Sequence, residues 1–239
     1  MRILIIRHAD PDYEHDCLTE KGKREAALLS ESLRKQNISA VYCSPLGRAR
    51  QTCAETARKI HADPVVLPWL REFDHPVLVE GKPHLCWDML PSFLAQHPEL
   101  YDANAWLASP VMQTGDIRAR YTELCEGLDG VLAGHGYVRD GMFYRAARAN
   151  RSTIAFFCHF GTESMLLSHL CNTSPVPLSH HFVALTSSVT TLYSEERRQG
   201  MALFRCCGYG DCSHLLVGKE PPSFSARFCE VFDSDDRHD

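Results

Sequence analysis

The sequence lacks the features that would point to a membrane or to a nucleic acid. No apolar run comes near the roughly 20 residues that a helix needs to cross a bilayer. The apolar start, residues 3–6, is far shorter than a signal-peptide core, so we expect a cytoplasmic protein with no membrane partner. The 25 Lys and Arg residues do not outnumber the 30 Asp and Glu residues, and the formal net charge is −5. Nucleic-acid-binding proteins usually carry a basic patch or stripe, so we expect no nucleic-acid partner either.

Cysteine is abundant, but the patterns that give it a structural role are missing. The count of 11 is odd, and no CxxC motif occurs. Without a signal peptide we expect reduced thiols, several of them buried as small apolar side chains. Cys207, Cys212 and His214 are the one group that a metal could use, but their spacing matches no standard zinc pattern. We therefore predict no metal site and no cofactor, with this thiol site as an alternative.

In the first 70 residues, short apolar runs typical of buried strands alternate with segments whose apolar residues have helical spacing. Hydrophobic residues make up 44% of the chain and charged residues 23%, as in globular proteins, and 239 residues are enough for a substantial core. The pattern predicts helices at residues 19–35, capped by Thr19, and 46–60, and strands at residues 2–6, 38–44 and 64–70. Such alternation builds a parallel sheet with helices on its faces.

The rhythm changes between residues 75 and 150, where proline and tryptophan become frequent. One helix is predicted there, at about residues 116–132, and we interpret 75–150 as a mainly helical cap inserted over the sheet. The pattern after it predicts a helix at residues 162–171 and strands at residues 153–158, 188–194 and 201–208. The expected fold is a single α/β domain over residues 1–239, a three-layer sandwich with a mostly parallel central sheet flanked by helices. The polar tail from Pro221 is expected to be loosely held.

Two of the predicted strands end in histidine. Residues 2–6 lead into Arg7 and His8, and residues 153–158 lead into His159. Open parallel α/β sheets place ligands at the carboxyl ends of their strands. Arg48 follows the strand between them, and a helix that begins after His159 would point the amides of Gly161 and Thr162 at an anion. Guanidinium groups bind phosphate oxygens in pairs, so the combination predicts a phosphate pocket.

Five short sequence blocks, four of which contain these residues or Glu72, resemble a known family. "LIIRHAD", "LTEKG", "VYCSPLGRARQT", "LREF" and "FFCHFG" occur in the order and at the spacing of the histidine phosphatase superfamily, in its phosphoglycerate-mutase-like branch. The resemblance implies that His8 is the nucleophile and forms a phosphohistidine intermediate. It also implies that Arg7, Arg48 and His159 hold the phosphoryl oxygens, with Phe160 and Gly161 lining the phosphate site, and that Glu72 is the proton donor. No metal is required in such a reaction.

The implied reaction requires a particular protonation state of both His8 and Glu72. His8 can attack phosphorus only while it is neutral and while its other ring nitrogen keeps the hydrogen, which a backbone carbonyl near the strand end could fix. Dense positive charge would lower the pKa of His8 and so help. The same charge would favour ionised Glu72, so a proton donor there needs burial or a charged substrate.

The chain departs from the family pattern at several positions. Ala9 stands where glycine usually follows the first histidine. Two glycines often follow the second histidine, and Phe160 and Gly161 stand in their place. The glycine-rich run common after the acid is replaced by "DHPVLVEGK", which leaves Asp74 and His75 as alternative proton donors to Glu72.

These observations predict an enzyme of the histidine acid phosphatase type. It would be a metal-independent phosphomonoester hydrolase that acts on a small phosphorylated metabolite and releases inorganic phosphate. Two alternatives stay open: a phosphoglycerate-type mutase, and a catalytically weak phospho-ligand-binding protein. A homodimer is compatible with the sequence, which does not name the substrate.

Overall fold

A computed structural model describes residues 1–223, 231 and 232. Cys229 and most of the tail predicted to be loosely held lie outside the described residues. The extended segments are β1 (Arg2–Arg7), β2 (Pro11–Asp12), β3 (Cys17–Leu18), β4 (Ile38–Cys43), β5 (Val65–Val66), β6 (Pro76–Val79), β7 (Lys82–Leu85), β8 (Tyr137–Asp140), β9 (Phe143–Ala146), β10 (Thr153–Cys158), β11 (Val189–Arg198) and β12 (Met201–Asp211). The α-helices are α1 (Glu20–Leu33), α2 (Gly47–Ile60), α3 (Pro91–Leu94), α4 (Ile117–Gly134), α5 (Phe160–Cys171), α6 (Pro175–His180) and α7 (Ser213–Gly218).

Eight of these strands form one sheet, in the order β5-β4-β10-β1-β11-β12-β9-β8. The α/β fold with a central sheet flanked by helices is confirmed. The sheet is mixed rather than mostly parallel, because β5, β4, β10 and β1 pair in parallel and every pairing from β1·β11 onwards is antiparallel. The reason is local: β11 and β12, like β8 and β9, are joined by short turns, and a short turn can connect only antiparallel neighbours.

The central strands are buried on both faces. Ile3 and Ile5 of β1 pack into the larger apolar cluster together with α4 and α5, whereas Leu4 and Ile6 pack into a second cluster with α1 and α2. Successive side chains of a strand point to opposite faces, so one apolar run supplies both clusters. This explains why the first strand shows no alternation of polar and apolar residues.

Most of the predicted elements have the predicted positions. Thr19 caps α1, where its hydroxyl accepts a hydrogen bond from the amide of Gly22. The third strand is shorter than predicted: only Val65–Val66 is extended, and Pro68–Leu70 forms a 3-10 helix. Pro68 explains the difference, since proline has no amide hydrogen for a strand ladder and suits the first turn of a helix.

The segment 75–150 is less helical than expected. It contains α3, α4 and three short 3-10 helices, but also the separate hairpin β6–β7 and the hairpin β8–β9, which extends the edge of the central sheet. Gly141 makes the turn of the second hairpin with a φ of 59°, a conformation that glycine adopts without steric cost. No helix among residues 1–223 is long and apolar enough to cross a membrane.

Candidate active site

The parallel pairing of β1 and β10 brings the two strand-end histidines together. Arg7 is in register with Cys158, and the amide of His8 donates to the carbonyl of Cys158 at 3.0 Å. His8 and His159 follow directly, with their ring centroids 5.1 Å apart. Both side chains are buried. The expectation that two equivalent strand ends meet at one edge of the sheet is therefore met in the structure.

The ring of His8 has one committed nitrogen and one uncommitted nitrogen. Nδ1 lies 2.8 Å from the carbonyl oxygen of Ala9, which can only accept, so Nδ1 carries the hydrogen and Nε2 keeps its lone pair. Burial lowers the pKa of His8 well below its ordinary value, and the positive charges of Arg7 and Arg48 lower it further. The imidazole is thus neutral, with Nε2 able to act as a nucleophile.

His159 is oriented by a residue that the sequence analysis did not select. Its Nε2 lies 2.7 Å from the hydroxyl oxygen of Ser44, which follows β4, the parallel neighbour of β10. Nδ1 of His159 is buried without a hydrogen-bond partner among the described residues. Burial lowers the pKa of His159, with further contributions from His8 and the nearby arginines. Ser44 could have been found by applying the strand-end argument to β4 as it was applied to its neighbours.

Arg7 is anchored at one end of its guanidinium group. Its Nη1 donates to the carbonyl of Ala184 at 2.7 Å, and the group lies 5.3 Å from the centre of the Phe160 ring. Its Nε is buried and has no hydrogen-bond partner in the described part of the chain. Phe160, predicted to line the phosphate site, thus forms an apolar wall beneath Arg7.

Arg48 has a similar arrangement on the first turn of α2. Its Nη1 forms an ion pair of 2.7 Å with Asp16, and the Tyr13 ring centre lies 5.2 Å from its guanidinium carbon. Its Nε is also buried without a partner within residues 1–223. Buried donors are nearly always hydrogen-bonded in native proteins. Near His8, two arginine N–H groups and one imidazole nitrogen are thus buried without partners among the described residues, which is what a binding site for an anion requires. We call Arg7 Nε, Arg48 Nε and His159 Nδ1 the candidate anion site.

Glu72 is held at the start of α5. Its Oε1 accepts hydrogen bonds from the amide of Phe73 at 2.8 Å and from the amide of Thr162 at 3.1 Å. The Thr162 amide, expected to face phosphate, thus holds the carboxylate. Burial raises the pKa of Glu72 above its ordinary value, while the two amide bonds and the charges of Arg7 and Arg48 act in the opposite direction. Burial is the largest of these influences, and the net direction favours the protonated form.

The two alternative acids have other contacts. Asp74 lies 3.7 Å from a guanidinium nitrogen of Arg71 at the surface, and His75 lies 3.6 Å from a carboxyl oxygen of Asp116. Burial lowers the pKa of His75, which makes it a poorer proton carrier near neutral pH. Glu72 is therefore the acid whose surroundings suit a proton donor.

The insertion reaches the site through Trp87. Its indole nitrogen donates to the carbonyl of Phe73 at 2.7 Å, and its ring lies edge-on to Phe160. A Cβ atom on Gly161 would come within 2.4 Å of Trp87 Nε1 and 2.8 Å of Glu72 Oε1, so only glycine fits there. Gly161 thus allows the indole and the carboxyl group to approach the start of α5.

The thiol group does not assemble. His214 lies 3.0 Å from the hydroxyl oxygen of Ser187, and Cys207 is exposed on β12. Residues 1–223 contain no group of three or more histidine, cysteine or acidic side chains that could hold a metal ion. The alternative metal site at Cys207, Cys212 and His214 is therefore wrong.

Comparison with known proteins relates the chain to one family. The family model for the histidine phosphatase superfamily (branch 1) matches residues 3–205. The chain belongs to this superfamily, and the resemblance noted from its sequence blocks is confirmed. A curated relative, phosphoserine phosphatase 1 of Hydrogenobacter thermophilus, is 23% identical over 121 residues. That match covers 46% of this chain and 52% of the relative, so the chain spans about half the length of the curated relative it matches.

Solved structures share the fold at low sequence identity. A phosphoserine phosphatase mutant from Entamoeba histolytica, in complex with phosphoserine, has a TM-score of 0.62 at 16% identity, covering 90% of this chain and 98% of that one. A mycobacterial glucosyl-3-phosphoglycerate phosphatase has a TM-score of 0.58 at 19% identity, covering 87% and 98%. At these identities the solved structures show a shared fold.

Proposed function

We propose that this chain hydrolyses phosphomonoesters of small metabolites through a phosphohistidine on Nε2 of His8. The observation that carries the proposal is the state of the His8 ring. It is buried and neutral, its Nδ1 faces the Ala9 carbonyl, and its Nε2 is uncommitted. Arg7, Arg48 and His159, which are close to it, each have a buried nitrogen without a partner among the described residues. A phosphate-binding protein would need the cations but has no need of a nucleophile with a fixed tautomer.

In the first step, Nε2 of His8 attacks the phosphorus atom and the bond to the leaving oxygen breaks. Arg7 Nε, Arg48 Nε and His159 Nδ1 donate to the phosphoryl oxygens, and they stabilise the charge that spreads over these oxygens in the transition state. Glu72 gives its proton to the leaving oxygen. The raised pKa of Glu72 supports this role, since the group must be protonated when the bond breaks.

In the second step, water attacks the phosphohistidine. Glu72, now ionised, accepts a proton from that water, the phosphorus–nitrogen bond breaks, and inorganic phosphate leaves. The proton lost to the leaving group is thereby restored, and the enzyme returns to its starting state. All positive charge in this scheme comes from side chains of the chain itself.

The first experiment measures phosphate release from an aryl phosphate in the presence of EDTA. Wild type should turn over, His8→Ala should fall to background, and Glu72→Gln should lose roughly 10²–10⁴-fold in kcat. His61→Ala, which changes a histidine at the C-terminal end of α2, is the matched control and should keep full activity. An acid-labile phosphoryl group on wild type, absent from His8→Ala, would identify the phosphohistidine intermediate.

The substrate class is tested with a panel of metabolite phosphates. Phosphoserine and 3-phosphoglycerate are the first candidates, because structurally similar proteins bind them. Full activity of His8→Ala would refute the proposed function. It would also be refuted if wild type bound phosphate tightly but hydrolysed no phosphate ester.

A further inference from the structure

Glu163 is a buried acid on α5, the helix that begins directly after His159. It lies in the first turn of α5, and its amide donates to the carbonyl of His159 at 2.8 Å. Its side chain is buried, and neither carboxyl oxygen makes a hydrogen bond of ordinary geometry within the described residues. A buried carboxylate with so few hydrogen bonds is costly, so its presence calls for a cause.

The groups that face Glu163 come from several elements. Arg7 of β1 supplies positive charge, and Glu72 supplies negative charge. The Thr190 side chain on β11 interacts with the carboxylate and partly stabilises it; its oxygen accepts from the amide of Gly210, which leaves its own hydrogen free. The negative charge of Glu163 also raises the pKa of four uncharged groups: Cys158 on β10, Cys206 and Tyr209 on β12, and Cys212 before α7.

We propose that Glu163 is a positioning residue of the phosphate site that acts through Arg7, so that its protonation state sets how strongly Arg7 holds a dianion. This inference rests on the candidate anion site of the proposed function. Arg7 would then have an anionic ligand on one side and a carboxyl group on the other. Its Nε is buried and unpaired, and Nη1 is tied to the carbonyl of Ala184, so the guanidinium has little freedom to turn from one to the other.

The direction of the effect follows from charge. Burial raises the pKa of Glu163 to about 7. Below that pH the carboxyl group is neutral and the full charge of Arg7 is available to the ligand. Above it the carboxylate, whose charge interacts with that of Arg7, competes for Arg7 and repels the dianion in buried surroundings. A charge pair in such surroundings changes affinity by ~10-fold, so we expect dianion affinity to fall by that factor as pH rises through 7.

The test uses sulfate, because phosphate itself changes charge near pH 7 and sulfate stays a dianion. Sulfate Kd is measured by calorimetry from pH 5.5 to 8.5 on the full chain, for wild type, Glu163→Gln and the control Glu126→Gln. Glu126 is exposed on α4, so its substitution makes the same chemical change at the surface. Wild type and Glu126→Gln should lose ~10-fold more affinity across this range than Glu163→Gln.

Parallel pH curves for wild type and Glu163→Gln would overturn the inference, since a purely structural role moves the curve without changing its slope. If Glu163→Gln does not fold, Glu163→Leu carries the same comparison without a buried polar group. Failure of wild type to bind sulfate at any pH would instead overturn the candidate anion site itself, and with it the proposed function. A difference in slope with sulfate bound supports both.

Discussion

Replacing Glu163 by glutamine should change the pH dependence of folding stability by an amount that the structure fixes. The carboxyl group has a pKa of about 7 in the folded chain, against an ordinary value of 4.5. The folded state therefore binds this proton more tightly than the unfolded state does. The resulting stabilisation is full below pH 4.5 and is lost as pH rises through about 7. At ~1.4 kcal/mol per pKa unit, wild type should lose about 3 kcal/mol that Glu163→Gln does not lose.

Urea unfolding at a series of pH values between 4 and 8.5 measures this difference. The informative quantity is the change with pH in the stability gap between wild type and variant, because the constant cost of a buried amide cancels. Glu126→Gln should give a flat difference. A gap between wild type and Glu163→Gln that varies by less than ~0.5 kcal/mol would refute the argument that burial dominates at this residue.

Two further substitutions test the geometry around His159 and Glu72. Ser44→Ala removes the hydroxyl group beside Nε2 of His159. Nδ1 should then carry the hydrogen less often, so kcat/KM should fall ~10-fold, and Ser44→Thr should restore it. An unchanged kcat/KM would contradict this role of Ser44. Gly161→Ala adds a Cβ atom that pushes Trp87 and Glu72 away from the start of α5. We expect kcat to fall more than ~10-fold while phosphate still binds. A kcat equal to that of wild type would show that the contact relaxes.

The central framework was predictable because it follows from local pattern. Residues 153–158 form the strand that was expected, and Thr19 caps the helix that it was expected to cap. The position of His8 and His159 followed from the same pattern, since each stands directly after an apolar strand. Parallel strands align their carboxyl ends, so placing two residues at strand ends already places them near each other.

The residues that were missed depend on pairing between distant segments. Asp16 lies in a turn before α1, and only the packing of that turn against α2 brings it to Arg48. Glu163 belongs to an otherwise apolar helix face, and nothing in its neighbours indicates that it is fully buried. The antiparallel half of the sheet was missed for a related reason, because strand direction is set by the length of the connection more than by the strand itself.

Burial is the one physical cause that meets both requirements of the proposed reaction. Positive charge from Arg7 and Arg48 keeps His8 neutral, but the same charge would ionise Glu72 and remove its proton. Exclusion of water disfavours the charged form of either group, so it lowers the pKa of the imidazole and raises that of the carboxyl group. It is the largest influence on both residues. Phe160 and Trp87 pack edge to face at the start of α5, so in the proposed reaction these apolar side chains matter as well as the charged ones, because they contribute to this burial.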